Sequence, residues 1–511
     1  MSPIGLSASR HLVLPAVGLL LISCSREAAV PSEPAREIAD YAQATYAAAT
    51  VEALGRLVSF RTVHQEGVAN AENPEFLGMT EYLEGLAAEL GLDFADHGSV
   101  VVIGLGDATE RLGVVTHGDV QPADPSKWAQ DPFNLDSLSE PGLLVGRGAE
   151  DDKGPIATAL YAMKAVSDQG LTLDRRIELI ISYTEESDWA PFQSFLAANP
   201  PPELNVALDS EYPVVVAEKS WNAIDLAFAP VPEAPAAGPN RLVGIGGGAF
   251  MSQIAGDAWA TIAEPSADLR SSLRNAATRD TEVSYEFVPG DGTLTIEAHG
   301  LAAHSSKPEE GRNAITHLAA LLGPHDWPDG QAARMVRLIN DLVGTEDYAE
   351  RFGEVALSHP FMGPLTLALT TLGREDELLV AGINIRSPVG RAPEETERLI
   401  REAVDDWKAR TGIEELEVGV FVSPAHYPQG APHIPVLLDI FEFYTGIPDP
   451  QPIAIGGGTH ARLVPKGVNF GPAMPGEVYT AHSEHEFISR EQLELNLRMV
   501  TAMLVELAGQ S

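Results

Sequence analysis

The groups in this chain best placed to do chemistry are imidazoles and carboxylates that follow short apolar runs. His117-Gly118-Asp119 follows the run 114–116, Glu185-Glu186 follows 177–183, and Asp209 follows 206–208. A Gly-framed acidic loop, Gly146-Arg147-Gly148-Ala149-Glu150-Asp151-Asp152-Lys153-Gly154, opens an apolar segment, and His482-Ser483-Glu484-His485-Glu486 stands near the C-terminus. Each cluster alone has an ordinary reading: a solvated turn, a surface acid pair, acid gathered at a helix N-terminus, an Asx turn. Together they place several carboxylates on converging strand ends, where they repel one another unless cations neutralise them. Imidazole and carboxylate without thiolate suit Zn²⁺ among the divalent ions. The set therefore points to a metal site.

The elements that must position these groups alternate along the chain. Runs 100–104, 112–116, 177–183 and 206–208 read as strands, and 37–61, 75–91, 155–166 and 194–198 carry helical spacing. Alternating strand and helix predicts an α/β domain, a mixed or parallel sheet with helices on both faces, and ligand sites in such sheets lie at the carboxyl ends of strands. After a Pro-rich loop the texture changes. Period-2 runs at 258–262, 282–288 and 293–298 predict antiparallel strands, with helices at 314–322 and 331–343 and a strand at 378–386. Helices are predicted again at 394–411 and 491–507. The expected division is a larger α/β domain in two parts, 37–217 and 391–511, interrupted by a smaller α+β domain at 218–390.

A chain of 511 residues with 44% hydrophobic and 21% charged residues has globular composition, enough for two large domains or three to four smaller ones. Lys and Arg total 33 against 73 Asp and Glu, a net charge of −40. That charge disfavours a phosphate-backbone grip, so no nucleic-acid partner is expected, and it disfavours anionic lipid headgroups. There is one cysteine, which excludes a disulfide framework and a Cys-based zinc site. That Cys24 follows Arg10 and an apolar run at 12–22 too short to span a bilayer. Leu21-Ile22-Ser23-Cys24 resembles a bacterial lipobox. The expectation is a signal peptide over 1–23, a lipid on Cys24, a tether over 24–36, and an exported lipoprotein facing the periplasm, with Ser25 favouring the outer membrane.

The clusters in order resemble the dinuclear zinc metallopeptidase family that includes aminoacylases, ArgE- and DapE-type deacylases, carnosinases and PepV-type dipeptidases. The strings are Thr116-His117-Gly118-Asp119-Val120, Gly146-Arg147-Gly148 through Pro155, Thr184-Glu185-Glu186-Ser187, Asp209-Ser210-Glu211-Tyr212-Pro213 and His482 through Ile488. The resemblance spans about residues 50–505 and implies a zinc-peptidase-like catalytic domain with a lid. It implies two Zn²⁺, with Mn²⁺ or Co²⁺ as possible substitutes: His117 and Asp209 on one, Glu186 and His482 on the other, Asp151 bridging (Asp152 the alternative). Asp119 would hold the His117 imidazole as an outer carboxylate, and Glu185 would be the general base toward a zinc-bridging water.

The resemblance extends to the lid. Gly300 through Ser306 is similar to the family's lid motif, which implies that His304 stabilises the oxyanion. Asn384-Ile385-Arg386-Ser387-Pro388 resembles a lid strand whose Arg clamps a substrate carboxylate; a strand-end surface Arg is the other reading. Gly456-Gly457-Gly458-Thr459-His460-Ala461-Arg462 resembles a Gly-rich loop lining the cleft, with Thr459 toward substrate, or else a structural turn. Ser252 stands where family dipeptidases often carry Asn. Asp at 209, with Ala217-Glu218-Lys219, brings the chain nearest the PepV-type dipeptidases, which implies cleavage of dipeptides or short peptides with a free N-terminus. The alternatives are an N-acyl-amino-acid deacylase or carboxypeptidase and, from another class, an inactive peptide-binding lipoprotein. A lid large enough to supply its own residues implies a monomer.

Overall fold

The structure, a computed structural model, describes residues 29–231, 238–428 and 430–510. The expected signal segment, Cys24 and residues 24–28 of the tether lie outside the described residues. The last tether residues are not a linker. Ser32 caps a helix, Glu33–Val58, its hydroxyl accepting from the Ala35 amide, with proline in the first turn. No described helix is long and apolar enough to cross a membrane.

The described residues build two eight-stranded sheets and three two-stranded ones. The first runs in spatial order Asp93–Asp96, Val100–Leu105, Arg175–Ser182, Glu110–His117, Leu204–Ala207, Val468–Asn469, Val215–Glu218, Ile453–Ile455. Its centre is parallel: Glu110–His117 lies between Arg175–Ser182 and Leu204–Ala207. Val100–Leu105 and Asp93–Asp96 add antiparallel strands, so the sheet is mixed. The parallel centre brings the carboxyl ends at His117, Ser182 and Ala207 to one rim.

Both faces of these strands are buried, and successive residues serve opposite faces. Val114, Leu179, Ile181 and Val206 pack in a core that also holds Leu54, Leu160 and Leu497 of helices Glu33–Val58, Lys153–Asp168 and Arg490–Ala508. Val115, Ile180 and Ala207 face the other way, onto Phe192, Ala461 and Val464.

The second sheet runs Ser284–Pro289, Thr293–His299, Asp257–Ala263, Arg241–Gly247, Thr366–Glu375, Leu378–Arg386, Asn222–Phe228, Leu416–Phe421, with every pairing antiparallel. Helices Ala267–Ala277, Ala314–Leu322, Gln331–Leu338 and Pro393–Thr411 cover one face; Leu273, Leu318, Met335 and Trp407 share a core with Ile262, Ile296 and Ile383. On the other face Val243 and Trp259 are exposed. This is the expected α+β architecture.

Its limit differs from the expected one. The body does not end at 390, because Trp407 is buried in its core and Leu416–Phe421 pairs with Asn222–Phe228. A helix followed by a strand reads alike whichever sheet receives it; only the strand's partner decides. The chain enters and leaves this body side by side: Glu218 and His426 exchange main-chain hydrogen bonds, and the Trp221 amide donates to Ser423 Oγ.

Candidate active site

The rim of the first sheet carries the acidic clusters. His117 ends strand Glu110–His117, and its neighbour Gly118 has Met79 and Tyr183 packed where a Cβ would stand, so a larger residue there would have to displace the Met79 side chain. The His117 Nε2 lies 2.8 Å from Asp151 Oδ1 and 3.5 Å from Asp209 Oδ1. His482 Nε2 lies 3.1 Å from the other Asp151 oxygen and 2.9 Å from Glu186 Oε1. Asp151 thus stands between two imidazoles. Two trios, His117–Asp151–Asp209 and Asp151–Glu186–His482, each have ligand atoms within 4.8 Å of one another. The structure brings together all five residues named as metal ligands from the sequence. Asp152 is turned away; its Oδ2 accepts from the His117 amide.

Electrostatics fit a cation here. Among the described residues no Lys or Arg is paired with Asp151, Glu186 or Asp209. Burial, with His117 opposing, leaves the Asp209 carboxyl pushed up to about 7. Burial and then the Asp209 charge push Glu185 well above the usual carboxylate range. Burial works to lower His117 and His482, yet the carboxylates around them outweigh it and both imidazoles end well above their usual value. So much buried acid around two imidazoles is a setting a divalent cation would neutralise, with each ligand deprotonated.

The role expected of Asp119 needs correcting in detail. The nearer contact of His117 Nδ1 is the Asp119 carbonyl oxygen at 2.9 Å; the carboxylate stands at 3.5 Å. That carboxylate instead accepts from the amides of Glu185 and Glu186, at 3.1 and 2.9 Å. One residue therefore fixes the ring through its backbone, so that Nε2 faces the acids, and shapes the Glu185-Glu186 loop through its side chain.

The second body closes over this rim. The His304 ring lies 6.2 Å from that of His482. The Ser306 amide donates to His304 Nδ1, so the ring proton belongs on Nε2. Burial, then the charges of Arg386 and His482, hold this imidazole well below its usual value and neutral. Arg386 is 4% exposed. It donates to Asn384 Oδ1 at 2.7 Å, the Gly456 carbonyl at 3.3 Å and Ser305 Oγ at 3.5 Å, all neutral acceptors. It is no surface arginine: burial pushes its guanidinium down to about 9. Ser252 contributes its carbonyl, which accepts the Ser305 amide and so supports the His304 loop.

Thr459 departs from expectation. Its hydroxyl donates to the buried Glu218 carboxylate at 2.7 Å and accepts from the Ala461 amide, so it secures the Gly-rich loop rather than substrate. The glycine that matters there is Gly456, where a Cβ would strike Ser306; it lets the two bodies touch.

Sequence reading missed three groups. Gln121 donates to Glu186 Oε2 at 2.9 Å. The Tyr479 hydroxyl stands 3.5 Å from Asp151 Oδ2. Arg147 and Glu486 lay inside the quoted strings without a role, and form a buried ion pair at 2.7 Å. An arginine framed by glycines and an acid beside a histidine were the available signal for that pair; Tyr479 offered none.

Comparison with known proteins agrees with this geometry. The model of peptidase family M20/M25/M40 matches residues 113–506. The Beta-Ala-Xaa dipeptidase of Lactobacillus delbrueckii subsp. lactis is 28% identical over 433 residues, 84% of this chain and 88% of that protein. YtjP of Bacillus subtilis (strain 168) is 31% identical over 452 residues, 87% and 91% of the two chains. Among solved structures, human carnosine dipeptidase 1 superposes with a TM-score of 0.58 at 14% identity, covering 93% of this chain and 99% of its own, a likeness of fold.

Proposed function

The chain belongs to peptidase family M20/M25/M40, and from that premise we propose that it is a metal-dependent dipeptidase acting on dipeptides or short peptides with a free N-terminus. The observation that carries this is the pair of acid–imidazole trios sharing Asp151 beneath His304 and Arg386. The dipeptidase named among the relatives supports the substrate class.

His117, Asp151 and Asp209 would hold one divalent ion, and Asp151, Glu186 and His482 a second, with zinc the first choice over manganese or cobalt. Bound there, the ions would lower the pKa of a water and polarise the scissile carbonyl. Glu185, raised in affinity for protons by its buried acidic surroundings, takes the proton from the attacking water and returns it to the leaving amine. His304 donates its Nε2 proton as a hydrogen bond to the oxyanion. Arg386, a buried cation with no anionic partner among the described residues, takes the substrate's terminal carboxylate. The lid residues and the rim come from one chain, which supports action as a monomer. Export with a lipid on Cys24 remains our reading of the N-terminal sequence, checked by the mass of the mature N-terminal peptide.

The test is hydrolysis of free and N-acetylated dipeptides by wild type and Glu185→Gln, each with its metal content measured. Turnover of free dipeptides alone is expected, with the variant keeping its metal and losing about 10²–10⁴-fold in kcat. Turnover of only the acetylated substrates would instead establish a deacylase.

A further inference from the structure

The two loops that carry Asp151 and His482 are held to each other by a buried ion pair, Arg147–Glu486, that reaches the trios only through main-chain groups. Glu486 is 0% exposed and Arg147 is 3% exposed. One Glu486 oxygen, Oε1, accepts from the amides of both Glu150 and Asp151, at 3.0 and 3.1 Å. The other receives Arg147 Nη1 at 2.7 Å. Arg147 Nη2 donates across to the Ser483 carbonyl at 3.0 Å, directly beside His482. The exchange is reciprocal, because Glu150 accepts from both the amide and the hydroxyl of Thr480, each at 2.9 Å. Below it, strands Leu143–Val145 and Phe487–Ser489 pair antiparallel, so the same ladder feeds both loops.

This arrangement has work to do. His482 has φ +63°, a left-handed conformation unfavourable for a residue with a Cβ. Such a conformation persists only where surrounding contacts over-determine it. The contacts on either side of His482 are those of Thr480 and Ser483, both to the acidic loop. Asp151, for its part, has its own amide fixed by Glu486.

We propose that Arg147 and Glu486 are positioning residues, a clasp that sets Asp151 and His482 at ligating distance and thereby tunes the affinity of the ion held by the Asp151–Glu186–His482 trio. The inference rests on the metallohydrolase reading above. His117 and Asp209 depend less on the clasp, since both extend from the sheet rim.

The experiment is calorimetric titration of Zn²⁺ into the full chain, stripped of metal and purified in detergent. Wild type, His482→Ala, Glu486→Gln and Arg147→Lys are compared. His482→Ala identifies the binding step that belongs to its trio. Glu486→Gln keeps an acceptor for the two amides but removes the charge facing Arg147. It should weaken that step by about 10–100-fold, as loss of an outer contact to a metal ligand does, and leave the other step within about threefold. At low Zn²⁺ its kcat should fall with KM unchanged, and excess Zn²⁺ should restore it. Arg147→Lys keeps the charge and gives up the fork, so its effect should be smaller and in the same step. A folded Glu486→Gln variant with both steps at wild-type affinity, or with both weakened equally, overturns the proposal. If Glu486→Gln does not fold, Arg147→Lys decides on the same criterion. Wild type that binds no Zn²⁺ would instead overturn the metallohydrolase reading itself.

Discussion

Replacing Arg386 with Met should abolish recognition of the substrate's carboxylate while leaving the hydrolytic centre intact. The size of the effect follows from how the guanidinium is housed. Its three acceptors are neutral, and two of them stand at 3.3 and 3.5 Å. Burial pushes it from 12.5 to about 9, a penalty on the order of 5 kcal/mol at about 1.36 kcal/mol per pH unit. A carboxylate entering the cleft would offset a penalty of that order. Losing one partner of a buried, hydrogen-bonded charge pair costs about 2–5 kcal/mol. The bracket is therefore a loss of roughly 30- to 5,000-fold in kcat/KM. The assay is a two-by-two comparison: wild type and Arg386→Met, each on a dipeptide and on its C-terminal amide. Wild type should discriminate against the amide by a factor in that bracket, and the variant should scarcely discriminate. If the variant still prefers the free carboxylate as strongly as wild type does, Arg386 does not face the substrate, and the unpaired charge needs another explanation.

Two further outcomes are expected. Lys307 of the lid loop pairs with Glu211 of the first body at 3.0 Å, with both side chains partly exposed; since such pairs contribute about 0.2–1 kcal/mol, Lys307→Met should raise KM by no more than about fivefold. It should also remove part of the salt dependence of KM, measured between low and high NaCl. His433 is buried, and burial pushes its imidazole down to about 4. The unfolded chain, near the usual 6.5, then binds more protons than the fold, so stability is lost as pH falls from about 6.5 toward 4. Between pH 7.5 and pH 5 that amounts to about 2 kcal/mol, and His433→Leu should lose that much less than wild type in urea midpoints taken at the two pH values. Equal losses in both proteins would remove His433 from the acid response.

His117, Glu186 and Asp209 were legible because each combines two independent signals, a residue type that binds metal and a place just past an apolar run, whereas Asp151 and His482 lack the second signal and were found through the resemblance of their strings. His117 and Glu185-Glu186 have both. Elements with strong local pattern were legible too: the helix predicted at 314–322 is Ala314–Leu322, and the strand at 378–386 is Leu378–Arg386. Strands Arg241–Gly247 and Thr366–Glu375 were not. The first holds three glycines and the second three threonines, so neither shows the apolar alternation that marks a half-buried strand. Thr459 was misread because a hydroxyl in a Gly-rich loop looks the same whether it meets substrate or a buried Glu218 more than 200 residues away. Long-range partners of that kind, like the strand partner that moves the second body's limit past 390, are tertiary facts with no local trace.

The interleaving of the two bodies along the chain also has a consequence during synthesis. Among the described residues, the core of the second sheet draws on residues between 224 and 422, a continuous stretch that can fold as soon as it has been made. The first body has no such freedom. Its core joins the opening helix, Glu33–Val58, to the closing one, Arg490–Ala508. On the ribosome its first half must wait, incompletely covered, while the insert is completed. The acidic members of the two trios are made early and His482 nearly last. The Asp151–Glu186–His482 trio therefore comes together only when nearly the whole chain has been made.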